Sequence, residues 1–386
     1  MDWRCVKSIP GERSAAPRRK PIARRQRNSR SRSMRKSLRP PGSISMCSTM
    51  ASSPGCGPAE MQRALVTGGS GFVGASLVRR LLSMGWQVDL LLRPGFATWR
   101  VPAEQPRLSM HVIDLTDASA VEALLHRLRP RHVFHLAAHG AYSWQTDAAR
   151  IAKTNLEAIR TLALASLKAN VEAFVHTGTS LEYGRKRHAP SEDEPAEPEG
   201  AYAISKAAAT AFCRDLARRS GMRFPTLRLY SVYGPWEEPR RLVPSLLLHA
   251  MVGKWPPLAN PKTARDFVWV EDVIDALIIA ASRPLADPGA IFNIGTGRQT
   301  TLGEIVALVH GVTGCEAEPH WQSMPDRGWD TDIWQAETRH AATVLGWTAQ
   351  TTLRTGLQRT IEWLQEDRER LDLYQGSLNL TGAQPR

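Results

Sequence analysis

The chain is short of cysteine, and what it has is not arranged for pairing. Three of its five cysteines, Cys5, Cys47 and Cys56, fall in the first 60 residues, and Cys213 and Cys315 stand alone with no C-x-x-C spacing. This excludes a disulfide framework or a cysteine-based metal motif and points to a reducing compartment. Long apolar runs are also missing. None reaches the roughly 18 residues needed to span a bilayer, and no apolar signal-peptide core opens the chain, so a cytoplasmic protein without membrane contact is expected. The 11 histidines show no metal-ligand spacing, so no metal is expected. Acidic residues are scarce at the start. Residues 1–60 carry 14 of the 50 Lys and Arg, but only Asp2, Glu12 and Glu60 of the 37 acidic residues. Of the formal net charge of +13, +11 belongs to this segment and +2 to the remaining 326 residues. The basic total is therefore no footprint of nucleic-acid binding by a folded domain, and no nucleic-acid partner is expected.

This first segment is rich in Arg, Ser and Pro and poor in large apolar residues, so residues 1–60 are expected to form a disordered basic tail. Three readings compete: sequence translated from a start upstream of a true initiator at Met61 or Met50, a transit peptide, or a basic arm for an acidic partner. We favour the first, because an apolar strand signal at Ala64 follows Met61 so closely.

That strand signal opens the most informative stretch, Ala64-Leu65-Val66-Thr67-Gly68-Gly69-Ser70-Gly71-Phe72-Val73-Gly74. It reads as a strand, a glycine turn and the start of an amphipathic helix. Gly69, Gly71 and Gly74 satisfy G-x-G-x-x-G, and Gly68 adds a second register, G-x-x-G-x-x-G. Such spacing permits a tight turn, close approach of backbone to a pyrophosphate, and helix N–H groups facing the anion. Further strand signals follow at 88–92, 108–114, 132–137, 173–176 and 226–230, separated by helical patterns at 120–128, 152–169 and 202–219. Alternation of this kind predicts an α/β fold: a Rossmann-type doubly wound parallel sheet with helices on both faces. Beyond Gly234-Pro235, proline and tryptophan accumulate, which predicts a smaller, loop-rich C-terminal lobe for substrate. A last helix is expected over residues 353–371. The expected boundaries are 61–234 for the dinucleotide-binding domain, 235–365 for a lobe able to return strands to the sheet, and 366–386 for a C-terminal tail.

Tyr202-Ala203-Ile204-Ser205-Lys206 places a phenol and an ammonium on one helix face. Lysine beside an oxidised nicotinamide favours phenolate, so the tyrosine pKa is expected to fall and Tyr202 to serve as acid or base. Upstream, Thr177-Gly178-Thr179-Ser180-Leu181-Glu182-Tyr183-Gly184 puts hydroxyls at a strand's carboxyl end, where they can hydrogen-bond a substrate oxygen or simply turn the chain. His139, Tyr142 and Trp144 follow the fourth strand and fit either a sugar contact or a packed aromatic loop.

Taken together, the chain resembles the extended short-chain dehydrogenase/reductases, in the nucleotide-sugar epimerase/dehydratase branch. The resemblance spans about residues 61–365 and rests on Thr67, Gly68, Gly71 and Gly74; Asp114-Leu115; His135-Leu136-Ala137-Ala138; Asn155; Thr179; Tyr202 with Lys206; Arg265-Asp266-Phe267; and Asn293-Ile294-Gly295-Thr296-Gly297. It implies an NAD(P) cofactor held by Gly68, Ser70, Gly71, Phe72, Val73 and Asn155. Asp114 and Leu115 would then flank the adenine, and Leu136, Ala137 and Ala138 would lie on the nicotinamide side. Thr179 would hydrogen-bond the sugar oxygen, Tyr202 would transfer the proton and Lys206 would hold the nicotinamide ribose. Ser231, Arg265 and Arg327 are implied substrate contacts, the last two for a diphosphate. The implied partner is a nucleoside-diphosphate sugar, and the expected assembly is a homodimer.

Departures from the family pattern narrow the activity. The 4,6-dehydratases carry an Asp-Glu pair directly after the catalytic Thr, where this chain has Ser180 and Leu181. Without that acid and base, water elimination has no catalyst. The acidic residue that binds a ribose 2′-hydroxyl is replaced by Leu92, followed by Arg93, which fits a 2′-phosphate. NADP(H) is therefore favoured over NAD, the alternative being that Arg93 merely opens a solvated turn. An Asn common in the family just before V-Y-G-P is Ser231 here. The expected function is reduction of a nucleoside-diphosphate 4-keto-6-deoxysugar at C4, with 4-epimerase as the alternative. A non-catalytic dinucleotide-binding protein is a third reading, but such proteins lose Tyr or Lys and both are present.

Overall fold

Parallel strands alternate with helices from Arg63 onward in the computed structural model, which describes residues 62–102, 105–324 and 333–380. The basic segment 1–60, Arg327 and the end of the C-terminal tail lie outside the described residues. The strands are β1 (Arg63–Thr67), β2 (Gln87–Leu92), β3 (Leu108–Val112), β4 (His132–His135), β5 (Ala173–Thr179), β6 (Thr226–Leu229), β7 (Ser231–Tyr233), β8 (Ala264–Trp269), β9 (Ile291–Ile294) and β10 (Gln299–Thr301). Seven of them form one sheet in the order β3-β2-β1-β4-β5-β6-β9, with every pairing parallel. The remaining three form a small mixed sheet, β10-β8-β7.

Both faces of the large sheet are covered, and β1 shows how the sequence achieves it. Side chains alternate along a strand, so Ala64 and Val66 join one core with Leu77, Val78 and Leu81 of α1 (Phe72–Ser83). Leu65 joins the opposite core with Val121 and Leu124 of α2 (Ala118–Leu128). From Ala64 to Thr67 the strand is buried on both faces, and each fully buried Leu contributes about 1.5–3 kcal/mol. The sheet is therefore doubly wound, as the alternating pattern predicts. Its order reverses between β1 and β4, which opens a crevice at their carboxyl ends.

Three local departures from the sequence reading have physical causes. The helix expected over 152–169 begins earlier, as α3 (Ala148–Ala152), passes through a π-helical turn at Lys153–Glu157 and continues as α4 (Ala158–Lys168). Such turns often mark functional positions, and this one carries Asn155. After α5 (Gly200–Ser220), the segment beyond Gly234-Pro235 is more regular than its proline density suggests. It holds α6 (Leu242–Met251), α7 (Val270–Ser282) and α8 (Leu302–Thr313), and β9 lies at the edge of the main sheet. The final helix is not continuous. It divides into α9 (Leu353–Gln365) and α10 (Arg368–Ser377) at Asp367, whose extended backbone and carboxylate cap the Arg370 N–H. A short acidic side chain favours that cap over continuing a helix.

Candidate active site

The glycine turn joins β1 to α1 and is locked by close contact. A Cβ on Gly74 would lie 2.2 Å from the Gly68 carbonyl oxygen, and one on Gly68 would lie 2.5 Å from the Ala137 nitrogen. Gly68 also has φ +73°, a conformation that glycine adopts without strain. The turn is thus pressed against both the helix and the loop after β4. Thr67 reinforces that contact: its hydroxyl is 2.8 Å from His135 Nδ1 and accepts the Ala137 N–H at 3.3 Å. Gly71 caps α1 without a side-chain cap, and no acidic residue occupies the first turn. The first-turn N–H groups of Phe72 and Val73 are left without intrahelical acceptors, beside Ser70. Backbone donors and a positive helix end, with no side chain in the way, suit a pyrophosphate. The residues here fit the dinucleotide that the glycine spacing implies.

Around this cradle the other candidates take distinct places. Leu136, Ala137 and Ala138 form the loop after β4. Asn155 ties that loop down: it accepts the His139 N–H at 2.8 Å and donates to the His139 carbonyl at 2.8 Å and to Ser205 at 3.0 Å. Ser205 in turn donates to the Tyr202 carbonyl at 2.8 Å. Asn155 thus links the loop after β4 to α5. Asp114 is exposed after β3, and two hydrogen bonds from Thr116 hold its carboxyl below the usual range. Leu115, beside it, is half-buried. Arg93 is exposed directly after β2. Asp89, inside β2, is fully buried and engaged by Arg63 at 2.7 Å and by His111 at 2.9 Å, so it is not free to bind a ribose.

Thr179, Tyr202 and Lys206 meet at the carboxyl end of β5. Tyr202 and Lys206 lie one turn apart on α5, and Lys206 is almost fully buried. Thr179 acts on the Tyr202 hydroxyl and favours its ionised form. The expected fall in the Tyr202 pKa does not come from the protein's own groups. Burial first, then the Glu182 carboxylate, push it up to about 12 against opposing effects of Arg241 and Thr179, and Tyr142 adds to the rise. Burial likewise lowers Lys206 to about 8, with Glu182 resisting. Tyr142 and Trp144 stack at 4.7 Å and 3°, forming an aromatic wall on the Tyr202 side.

Ser231 and Arg265 belong to the small sheet, on β7 and β8. The Arg265 guanidinium donates to the Ala264 carbonyl at 2.6 Å and lies 5.3 Å from the Trp334 ring. Trp334 shares a narrow cleft with Ser180, Tyr183 and Tyr230, which connects this sheet to the end of β5. A larger cavity of about 320 Å³, lined by Arg80, Asp275 and Trp347, contains none of these residues. Among the described residues no group of His, Cys, Asp and Glu is placed to hold a metal ion, and no helix is long and apolar enough to cross a membrane. Sequence reasoning passed over Glu182 and Arg241. Glu182 stood inside the Thr177–Gly184 stretch, but nothing in its spacing told that it would be buried. Arg241 had no local signal, because only folding brings the start of α6 near Tyr202.

A model of the NAD dependent epimerase/dehydratase family matches residues 64–295. The chain belongs to that family. A UDP-glucose 4-epimerase of Mycolicibacterium smegmatis is 31% identical over 314 residues, covering 78% of this chain and 98% of the relative. A probable dTDP-glucose 4,6-dehydratase of Sinorhizobium fredii is 29% identical over 331 residues, covering 79% and 93%. Among solved structures, MoeE5 in complex with UDP-glucose and NAD aligns with a TM-score of 0.69 at 31% identity, covering 79% of this chain and 99% of that one. This member of the family thus resembles both epimerases and dehydratases over nearly their whole lengths.

Proposed function

We propose that this family member is an NAD(P)-dependent oxidoreductase that reduces a nucleoside-diphosphate 4-keto-6-deoxysugar at C4. The observation that carries the reading is the placement of Thr179 at the carboxyl end of β5 with Tyr202 and buried Lys206 on one face of α5, and with Ser180 and Leu181 in the positions after Thr179. When bound, the dinucleotide supplies the hydride. Thr179 orients the sugar C4 oxygen, and Tyr202 delivers a proton to that oxygen as it becomes an alkoxide. A Tyr202 held protonated up to about pH 12 suits the role of acid in the reducing direction. Ser180 and Leu181 offer no carboxylate for elimination of water. Glu182 does not replace them, since its oxygens face the Thr179 N–H and Arg228. Arg93, exposed at the end of β2, supports NADPH as the preferred donor, and Arg265 supports a diphosphate contact.

The relative named as a UDP-glucose 4-epimerase favours a second reading, in which Tyr202 and Thr179 serve both directions and the cofactor is recycled. One experiment separates the two. The protein is incubated with NADPH or NADH and UDP- or dTDP-linked 4-keto-6-deoxyglucose, and loss of reduced-nicotinamide absorbance is followed. Stoichiometric oxidation, faster with NADPH and cut about 10²–10⁴-fold by Tyr202→Phe, is the expected result. Interconversion of UDP-glucose and UDP-galactose without net oxidation would sink the reductase in favour of the epimerase.

A further inference from the structure

Glu182 is a fully buried carboxylate that the proposed chemistry does not use. It sits in the short 3-10 turn Ser180–Tyr183 that leaves β5 immediately after Thr179. One oxygen, Oε1, accepts the Thr179 backbone N–H at 2.8 Å, while the Thr179 hydroxyl accepts the Leu181 N–H at 3.3 Å. The other, Oε2, accepts Arg228 Nε at 2.9 Å from the neighbouring strand β6. That pairing is buried at both ends, with side chains 5% and 0% exposed. A Cβ on Gly178 would come within 2.6 Å of Oε1, so the backbone of β5 leaves room for this carboxylate. The cost of placing a charge in the interior is offset only when its lone pairs are satisfied, and here both oxygens are.

We propose that Glu182 is a positioning residue of this site: it fixes the turn that presents the Thr179 hydroxyl, and its negative charge is the counter-charge that faces buried Lys206. The turn that carries Glu182 packs against α5, and the Glu182 and Lys206 side chains are both buried where the two elements meet. Glu182 acts on Lys206 and favours its charged form, while burial keeps the Cys213 thiol on α5 protonated. His135 on β4 and His176 on β5 also feel Lys206, and burial keeps both neutral. Glu182, paired with Arg228, is thus the carboxylate among the groups acting on Lys206. The same charge faces the Tyr202 hydroxyl, together with Arg241 from α6 and Tyr142 from the loop after β4. Arg228 holds Glu182 from behind, and its guanidinium lies 4.4 Å from the Tyr183 ring. The proposal rests on the reading of Thr179, Tyr202 and Lys206 as the reacting site, but its decisive measurement needs no turnover.

Glu182→Gln keeps an oxygen for the Thr179 N–H and removes the charge. The Lys206 amine is titrated by NMR in protein carrying ¹³C-labelled lysine, its signal assigned by loss in Lys206→Arg. In the wild type the midpoint is expected near pH 8. In Glu182→Gln it should fall by about 1 unit or more. If Glu182→Gln fails to fold because Arg228 is left unpaired, Glu182→Gln with Arg228→Met removes both charges, and the same downward shift is expected. An unchanged midpoint in either variant would overturn the proposal. A shift in the single variant that disappears in the double variant would also overturn it, because it would trace to the orphaned Arg228. With NADPH and the 4-keto-6-deoxysugar as probes, Glu182→Gln should lower kcat more than it raises KM and move the kcat–pH profile. A purely structural role would leave that profile in place. Loss of activity on these probes in the wild type would remove the reductase reading and leave the lysine titration intact.

Discussion

Lys206 shows how a single residue can oppose the stability of its own fold. Burial lowers its folded-state pKa to about 8, whereas an exposed lysine in the unfolded chain titrates at 10.5. Below about pH 8 the folded protein must carry a charge its surroundings disfavour, and that difference of pKa corresponds to about 3 kcal/mol. Between about pH 8 and 10.5 the unfolded chain binds the extra proton, so the Lys206 contribution to stability improves as pH rises. Lys206→Met is therefore expected to raise the thermal midpoint of the dinucleotide-free protein at pH 7 while abolishing turnover. The gain should shrink towards pH 10, as a pair of melting curves across that range will show. A destabilised variant at pH 7 would mean that Glu182 compensates the buried ammonium fully. Tyr202 and Lys206 were legible as a pair from their spacing on one helix face. The direction of the Tyr202 shift was not, because it depends on burial and on Glu182, neither of which is a property of the Tyr-x-x-x-Lys motif.

At the scale of elements, α9 and α10 illustrate what a hydrophobic pattern leaves undecided. The apolar positions of the two helices read as one run, and a single acidic cap at Asp367 divides them. The consequence is specific. The turn lets α10 fold back so that Tyr374 meets Trp99 edge-on at 5.8 Å and Trp363 at 5.6 Å, while its hydroxyl donates to the Glu237 carbonyl at 2.7 Å. Trp236 joins this cluster against Trp363 at 5.1 Å, with the Arg79 guanidinium 3.8 Å from its ring. The helix formed after the family-like part of the chain thus braces the segment following Gly234-Pro235, from which Arg241 reaches towards Tyr202. Tyr374→Ala removes a buried aromatic ring and one hydrogen bond, and should cost about 3–5 kcal/mol. Urea unfolding measures this directly. A loss below about 1 kcal/mol would show that the cluster closes over the gap. The proline-rich look of this region concealed three helices, because Pro244 stands in the first turn of α6, where a missing N–H costs no hydrogen bond.

For the whole molecule, charge and fold are separate matters. The buried cores of the described residues run from Ala64 to Tyr374, and the excess of basic residues lies before them in sequence. A chain beginning at Met61 should keep the thermal midpoint and dinucleotide affinity of the full chain, while its retention on heparin at low salt falls sharply. Equal retention of the two chains would place the basic surface on the folded part. Much of the architecture was legible because the parallel sheet is written in short apolar runs with helices between them. The edge strand β9 was harder to read, since its partner β6 lies 65 residues earlier at the Thr226–Ile291 pair and no local pattern encodes such a distance.

By itself the sequence determined the order of strands and helices, the glycine turn, and the one helix face that carries Tyr202 and Lys206. These depend on local sterics and on periodicity, which act over a few residues. The tertiary structure decided which groups share a dielectric. It buried Lys206 and Glu182 together, set Arg228 behind them, pressed Gly68 against Ala137, and brought Tyr142 and Arg241 within electrostatic reach of Tyr202. Electrostatic interaction depends on distance and burial, and those exist only once the chain has closed on itself.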